Sequence, residues 1–194
     1  MISKEQADEI MKIEGKVKGV VFQTDAEYVK KKYGQEGIDK IQNQLKQLGY
    51  PFEYDKAKAL EWYPLGLRAL SLLAIKDTFG LSDEDLKEMG NLAPKFSFLV
   101  KIFMKSFVSP KMTVAHAPEF WERHYSVGKL ESEYHGDENR AIIKIKDFTL
   151  YPEVLKYLEG YFQRVMQYTV GKNVECKILD NKTEKKSCLF EVIW

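Results

Sequence analysis

His116 and His124 are the residues of this chain with the clearest capacity for metal chemistry. Imidazole is the commonest metal ligand among side chains and titrates near neutral pH. The two residues are eight positions apart, and on a helix this spacing turns them about 80° away from each other, so they do not converge on one metal ion. The sequence therefore favours a cap or a surface position for His116.

Cys176 and Cys188 offer thiol or metal chemistry near the end of the chain. Alternating apolar residues place both on one face of a predicted hairpin, together with Phe190 and Val192. If the turn of this hairpin centres on Lys182, the two thiols are nearly opposite each other. Two ligands do not complete a zinc site, which takes four. Because buried free cysteines commonly pack as small hydrophobic residues, core packing is the first prediction for this pair.

A set of aromatic residues is the best candidate for a ligand pocket, because small-molecule sites are concave and mainly apolar with a few polar anchors. Arg68, in an otherwise apolar segment, is the candidate anchor for a ligand carboxylate. Its alternative is a guanidinium that extends to the surface. The aromatic residues could equally fill an ordinary core. They are Trp62, Tyr63, Phe96, Phe98, Phe103, Phe107, Tyr161 and Phe162.

Local motifs of the common enzyme classes are missing from the sequence. There is no P-loop, glycine-rich dinucleotide turn or HExxH helix, and no Ser-His-Asp order. We therefore predict that the protein is not an enzyme.

The end of the chain carries the strongest periodic pattern. Residues 152–170 form one apolar stripe at a helical period, which begins at Pro152 and is closed by Gly171. The period then changes to two over residues 174–178 and 188–194, with a polar turn over 180–187. A long helix that packs on a terminal hairpin is the predicted centre of the core.

The rest of the chain is predicted to be helical up to about residue 125 and to form strands after it. Residues 17–22 are an exception, since their continuous apolar run predicts an interior strand that could join the sheet. The predicted fold class is α+β, a helical N-terminal part packed on a C-terminal antiparallel sheet of four to five strands, crossed by one long helix. Helices are predicted over residues 3–13, 24–33, 35–48, 65–79, 82–89, 94–107 and 110–125, and further strands over 130–135 and 141–146.

The composition of the chain limits the kinds of partner that we expect for the protein. The 30 basic and 29 acidic residues give a net charge of +1, which argues against a dedicated nucleic-acid binder. The first 18 residues contain no apolar core of a signal peptide, and the apolar runs stop short of membrane-spanning length. With two cysteines only, we expect a cytoplasmic protein in a reducing compartment.

Four short segments, in their order and spacing, resemble one family. They are residues 18–22 (Lys-Gly-Val-Val-Phe), 61–64 (Glu-Trp-Tyr-Pro), 158–160 (Leu-Glu-Gly) and the closing hairpin. With them the chain resembles the haem-NO-binding (H-NOX) domains and their relatives without haem, including the 4-vinyl-reductase-like ligand-binding domains. The resemblance implies that family's fold, with an internal pocket. It implies one domain over residues 1–194, in which 1–16 are an N-terminal helical extension.

The haem-binding residues of H-NOX proteins are not matched. That family holds haem through a histidine on the helix before the sheet, and the helix predicted over 94–107 contains none. Its Tyr-x-Ser-x-Arg motif for the haem propionates is also missing, since residues 143–149 read Ile-Lys-Ile-Lys-Asp-Phe-Thr. Haem iron needs an axial donor and its carboxylates need cations. Haem is therefore disfavoured and the cofactor is unknown, with His116 as the candidate for a displaced ligand.

Three functional hypotheses follow from the sequence. The first is a non-enzymatic sensor or binding domain that holds a small apolar molecule between the helices and the sheet. The second is a haem-based gas sensor with an unusual axial ligand. The third is a dimeric protein-interaction scaffold, because the 4-vinyl-reductase-like relatives share their fold with such proteins. The expected partners are a small apolar ligand and a second copy or a signalling protein. Those relatives also carry cysteines near the closing hairpin, which keeps a metal, thiol or redox role open for Cys176 and Cys188.

Overall fold

The computed structural model of the protein describes residues 2–97, 100, 102, 108–148, 151–171, 173–182 and 186–194. The fold is α+β, as predicted, with a helical N-terminal part and a C-terminal antiparallel sheet. Its elements are α1 (Lys4–Met11), β1 (Lys16–Lys18), α2 (Val20–Gln47), β2 (Trp62–Pro64), α3 (Leu65–Phe79), α4 (Asp83–Phe96), α5 (Pro110–His124), β3 (Lys129–His135), β4 (Arg140–Lys146), α6 (Pro152–Val170), β5 (Glu175–Lys182) and β6 (Ser187–Ile193).

The predicted strand over residues 17–22 is wrong beyond its first two residues. Strand β1 ends at Lys18, and α2 begins at Val20, so the expected start of that helix at Thr24 or Asp25 is wrong as well. The apolar residues 20–22 are buried in the first turn of α2, and a short apolar run fits a buried helix as well as a strand. Gly19 permits the change of direction, because a Cβ there would lie 2.2 Å from the carbonyl oxygen of Lys58.

Most helix ends in the N-terminal part lie close to the predicted residues. Helix α2 is divided at Gly34, whose φ of 69° is left-handed, so residues 20–33 and 35–47 are separate helical segments, and the predicted break between two helices at this glycine is confirmed. Helix α4 begins with a capping box between Ser82 and Asp85. It ends at Phe96 instead of near residue 89, and Pro94 lies in its last turn instead of opening a new helix. The remainder of the predicted helix over 94–107 lies largely outside the described residues.

The four C-terminal strands form one antiparallel sheet in the order β3-β4-β6-β5. Helix α6 connects the two hairpins and covers the inner face of the sheet, where the rings of Phe162 and Phe190 meet at 5.1 Å between centroids. The predicted fifth strand is not part of this sheet. Instead, β1 pairs with β2 in a separate two-stranded sheet, in which Val17 lies opposite Tyr63.

Helices α4 and α6 touch backbone to backbone. A Cβ on Gly90 would lie 1.8 Å from the carbonyl oxygen of Tyr157, and a Cβ on Gly160 would lie 1.8 Å from that of Lys87. Lys87 also pairs with Glu159 at 2.6 Å and donates to the carbonyl oxygen of Cys176 at 2.9 Å, which joins α4 to the first residues of β5. Among the described residues, no helix is long and apolar enough to cross a membrane.

Replacing Gly160 with alanine is expected to destabilise the protein by about 3 kcal/mol or more, because the two helix backbones would have to move apart. Gly80→Ala is the matched control. Gly80 has a φ of 61° and open space around its missing Cβ, so its cost is the left-handed strain alone, about 1–2 kcal/mol. Equilibrium denaturation measures both. Equal losses in the two variants would contradict the close contact of α4 with α6.

Candidate functional site

A cavity lies between helices α2, α4, α5 and α6 and the inner face of β3 and β4. It contains about 990 Å³ of space outside the protein atoms, which includes open solvent, and about 90 Å³ of it admits the centre of a water molecule. The lining residues are Val20, Val21, Thr24, Ala93, Ser97, Val100, Thr113, Val114, Ala117, Phe120, Trp121, His124, Tyr125, Leu130, Ile143, Tyr157, Leu158, Tyr161, Phe162, Val165 and Met166.

The cavity wall carries no charged side chain among its described residues. Its hydroxyl groups are held by local hydrogen bonds: Thr113 donates to the carbonyl oxygen of Ser109 at 3.1 Å, and Thr24 donates to that of Val21 at 2.9 Å. Ser97 accepts the backbone N–H of Val100 at 3.2 Å. The wall therefore suits an uncharged and mainly apolar molecule.

His124 is the titratable imidazole of this wall. It is buried, its ring lies 4.3 Å from that of Phe120, and its Nδ1 is 2.8 Å from the carbonyl oxygen of Phe120. A carbonyl oxygen can only accept, so Nδ1 carries the proton and Nε2 is left as an acceptor. Burial lowers the pKa of His124 below its usual value, only partly opposed by this hydrogen bond. The imidazole is therefore neutral near pH 7.

Tyr161 brings a second polar group to the cavity. Its ring lies 6.5 Å from that of Phe120, so Phe120 is a common neighbour of His124 and Tyr161. Burial raises the pKa of Tyr161 well above its usual value. Within the described part of the chain, its hydroxyl has no hydrogen-bond partner. The wall thus offers one unused acceptor and one unused donor.

Two of the aromatic residues proposed from the sequence, Tyr161 and Phe162, line the cavity. Trp62 does not: it is 41% exposed and lies under the ammonium group of Lys18 at 3.9 Å. Tyr63 packs against Phe22 at the start of α2, with 5.5 Å between the ring centroids. Phe96 packs on the outside of the core and is not in the wall either. Phe98, Phe103 and Phe107 lie outside the described residues.

Arg68 is fully buried, so the alternative of a guanidinium that extends to the surface is wrong. It forms an ion pair with Asp25, which is also fully buried. Its guanidinium lies 4.4 Å above the ring of Tyr157. Arg68 is not in the cavity wall, but it lies directly behind a residue that is.

Sequence reasoning missed the face that α5 presents to the cavity. The signal was present, because the residues of this face recur at i, i+4, i+7, i+8 and i+11, the spacing of one side of a helix. The five residues of this face are Thr113, Ala117, Phe120, Trp121 and His124. Its small and polar members, Thr113, Ala117 and His124, conceal the pattern.

The metal candidates do not form a common site. The side chain of His116 is 47% exposed, and its Nδ1 lies 3.4 Å from the Glu119 carboxylate. Cys176 lies opposite Val192, and Cys188 lies opposite Asn181. The thiols are therefore not opposite each other, because β5 extends to Lys182, which pairs with Ser187, and the turn lies beyond Lys182. The described residues contain no group of three or more His, Cys, Asp or Glu that could hold a metal ion.

Comparison with solved structures finds H-NOX domains over most of the chain. An unliganded Fe(II) H-NOX protein from K. algicida has a TM-score of 0.67 and 15% identity, and the match covers 91% of this chain and 95% of that one. The chain has the H-NOX fold. An oxygen-binding H-NOX domain related to soluble guanylate cyclases has a TM-score of 0.63 and 12% identity over 90% of this chain and 92% of its own. No family model and no curated protein match the sequence.

The described wall of the cavity supplies one of the two kinds of group that haem requires. The helix before the sheet is α5, not residues 94–107, and it does contain histidines. Of these, His124 lines the cavity, whereas His116 is exposed and is not in the wall. His124 could supply an axial nitrogen. Haem also carries two propionates that need cationic partners, and the described lining residues include no lysine or arginine.

Acidification is expected to destabilise the protein through His124. Its pKa is lowered in the folded state, so the unfolded chain binds a proton below about pH 6.5 that the folded chain does not bind. The free energy of unfolding should fall between pH 7 and pH 5, and less steeply in His124→Gln. His116→Gln, at an exposed position of the same helix, is the control. Equal pH dependence in wild type and His124→Gln would contradict a buried neutral imidazole.

Both thiols are expected to react slowly in the folded protein. Cys176 and Cys188 are buried, and burial raises the pKa of both, that of Cys188 to about 12. Since the thiolate is the reactive form, labelling by a disulfide reagent should be slower than in the denatured chain by about a hundredfold or more. Immediate labelling of either thiol in the native protein would instead indicate a reactive site.

Proposed function

We propose that the protein is a non-enzymatic binding or sensor domain whose cavity holds a small, uncharged and mainly apolar molecule. The proposal rests on the cavity, whose described wall is almost entirely apolar and contains no charged side chain. A charged ligand would lose its hydration there without gaining an ion-pair partner. A neutral ligand loses little and gains the burial of its apolar surface.

The wall also supplies the few polar groups that orient a ligand in such sites. His124 Nε2 can accept a hydrogen bond, and the Tyr161 hydroxyl can donate one. Both act on a neutral group such as a hydroxyl or a carbonyl. The H-NOX relatives with solved structures include an oxygen-binding domain, and for this chain we propose a larger organic ligand in the corresponding space in place of haem.

Helix α6 could transmit the presence of a ligand in the cavity to a partner protein. It lines the cavity with Tyr157, Tyr161 and Phe162, and it packs against α4 and the sheet. A ligand that favours one position of α6 would shift the elements that this helix touches. We propose that the output is read by a second chain that contacts those elements.

Filling the cavity tests the proposal. Nile red, a neutral apolar dye, is expected to bind the wild-type protein with a rise in fluorescence. Ala117→Phe places a ring in the wall and should weaken binding by about tenfold or more. Ala115→Phe is the matched control, because Ala115 is exposed on the same helix. Titration of all three proteins measures the dissociation constants.

Retained binding in Ala117→Phe would mean that the dye binds elsewhere, and absence of binding to the wild type would mean that the cavity does not accept apolar molecules. Either result would contradict the proposed function. Circular dichroism of each variant confirms that the fold is kept.

A further inference from the structure

The buried ion pair behind the cavity wall has unused hydrogen-bonding capacity. Arg68 and Asp25 are both fully buried. Arg68 Nη1 bonds to Asp25 Oδ2, whereas Arg68 Nε, Arg68 Nη2 and Asp25 Oδ1 form no hydrogen bond of ordinary geometry in the described structure, although Tyr157 is close enough to oppose the lowering of the pKa of Arg68 by burial. Buried polar atoms without partners are costly, and each calls for a water, an ion or a ligand. Three such atoms on one ion pair can therefore bind a further polar group.

The pair lies against the cavity. Asp25 follows the wall residue Thr24 in α2, and the Arg68 guanidinium stacks on the ring of Tyr157. Burial raises the pKa of the wall tyrosines Tyr125 and Tyr157, and the charge of Arg68 partly opposes this shift in both. Thr24 and Tyr157 of the wall therefore adjoin the ion pair.

The contact between the wall residues Thr24 and Tyr157 is weak. Thr24 Oγ1 and the Tyr157 hydroxyl are 3.4 Å apart, which is long for a hydrogen bond between hydroxyl groups. Thr24 already donates to the carbonyl oxygen of Val21. A polar group that enters between Thr24 and Tyr157 would break little and would come next to the residues that adjoin the ion pair, since Asp25 follows Thr24 and Arg68 stacks on Tyr157.

The unused atoms specify the chemistry of that group. Nε and Nη2 are two adjacent donors of the guanidinium, and one carbonyl oxygen with two lone pairs can accept both. Asp25 Oδ1 then needs a donor. Asp25 already neutralises Arg68, so a carboxylate would leave one uncompensated charge in an apolar interior. A neutral head that contains both C=O and N–H or O–H satisfies all three atoms.

We propose that Arg68 and Asp25 form the polar end of the ligand site and bind the uncharged amide or carboxylic acid head of an amphiphilic molecule, whose apolar body fills the cavity. The assignment rests on the proposed function and narrows it to a class of ligand. The N–H or O–H of the head donates to Asp25 Oδ1, and its carbonyl oxygen accepts from Arg68.

Competition against bound Nile red tests the assignment with a matched series of probes. Decanamide carries both donor and acceptor, N,N-dimethyldecanamide lacks the donor, and methyl decanoate has an acceptor alone. The wild-type protein is expected to bind decanamide at least about tenfold more tightly than either analogue. Equal affinities across the series would overturn the assignment while Nile red binding still supports the cavity. No binding of the dye or of any probe would overturn the proposed function itself.

A double variant tests whether the ion pair causes the preference for decanamide. Arg68→Met with Asp25→Leu replaces the ion pair by apolar residues of similar volume, a change that proteins often tolerate. It should keep its affinity for Nile red and methyl decanoate and lose the preference for decanamide. A preference that survives the double variant would place the head elsewhere and overturn the assignment. If the double variant does not fold, the wild-type series decides alone.

Discussion

The backbone contact between α4 and α6 is the constraint on which the rest of the structure depends. Glycines at 90 and 160 let each helix touch a carbonyl oxygen of the other, so the two axes cannot shift without a loss of packing. Around this contact, Arg164 bonds to Asn91 with Nε at 3.1 Å from Oδ1, and Lys87 joins Glu159 to the backbone of β5. Helix α6 is thereby fixed between the helical part and the sheet.

One helix then serves three purposes. The fixed position of α6 turns Tyr161 and Phe162 into the cavity wall, sets Phe162 against Phe190 of the sheet, and lays Tyr157 over the Arg68 guanidinium. The space that remains is bounded on its other sides by α5 and the start of α2. An apolar cavity with a buried ion pair behind its wall is the consequence of this packing.

Local patterns predicted the elements, while the site depends on contacts between distant residues. The periodicity of 152–170, Gly171 as its end, and the alternation of the last four strands were confirmed. The apolar run over residues 17–22 predicts a strand, whereas residues 20–22 begin α2, because a short apolar run has no helical or strand period of its own. The pairing of Arg68 with Asp25 spans 43 residues, and nothing near either residue indicates it. The cysteines are out of register because the turn lies beyond Lys182, which pairs with Ser187, and this position of the turn sets Cys176 opposite Val192.

Native mass spectrometry shows whether the cavity holds a ligand, on protein equilibrated with a cell lipid extract and then freed of excess lipid. We expect a non-covalent excess mass on the order of a few hundred daltons, lost on denaturation and on the Ala117→Phe substitution, with no Soret absorption. The excess mass identifies the ligand and shows whether it carries a neutral amide or acid head. A protein that remains without a ligand, or one that carries haem, would overturn the proposed function.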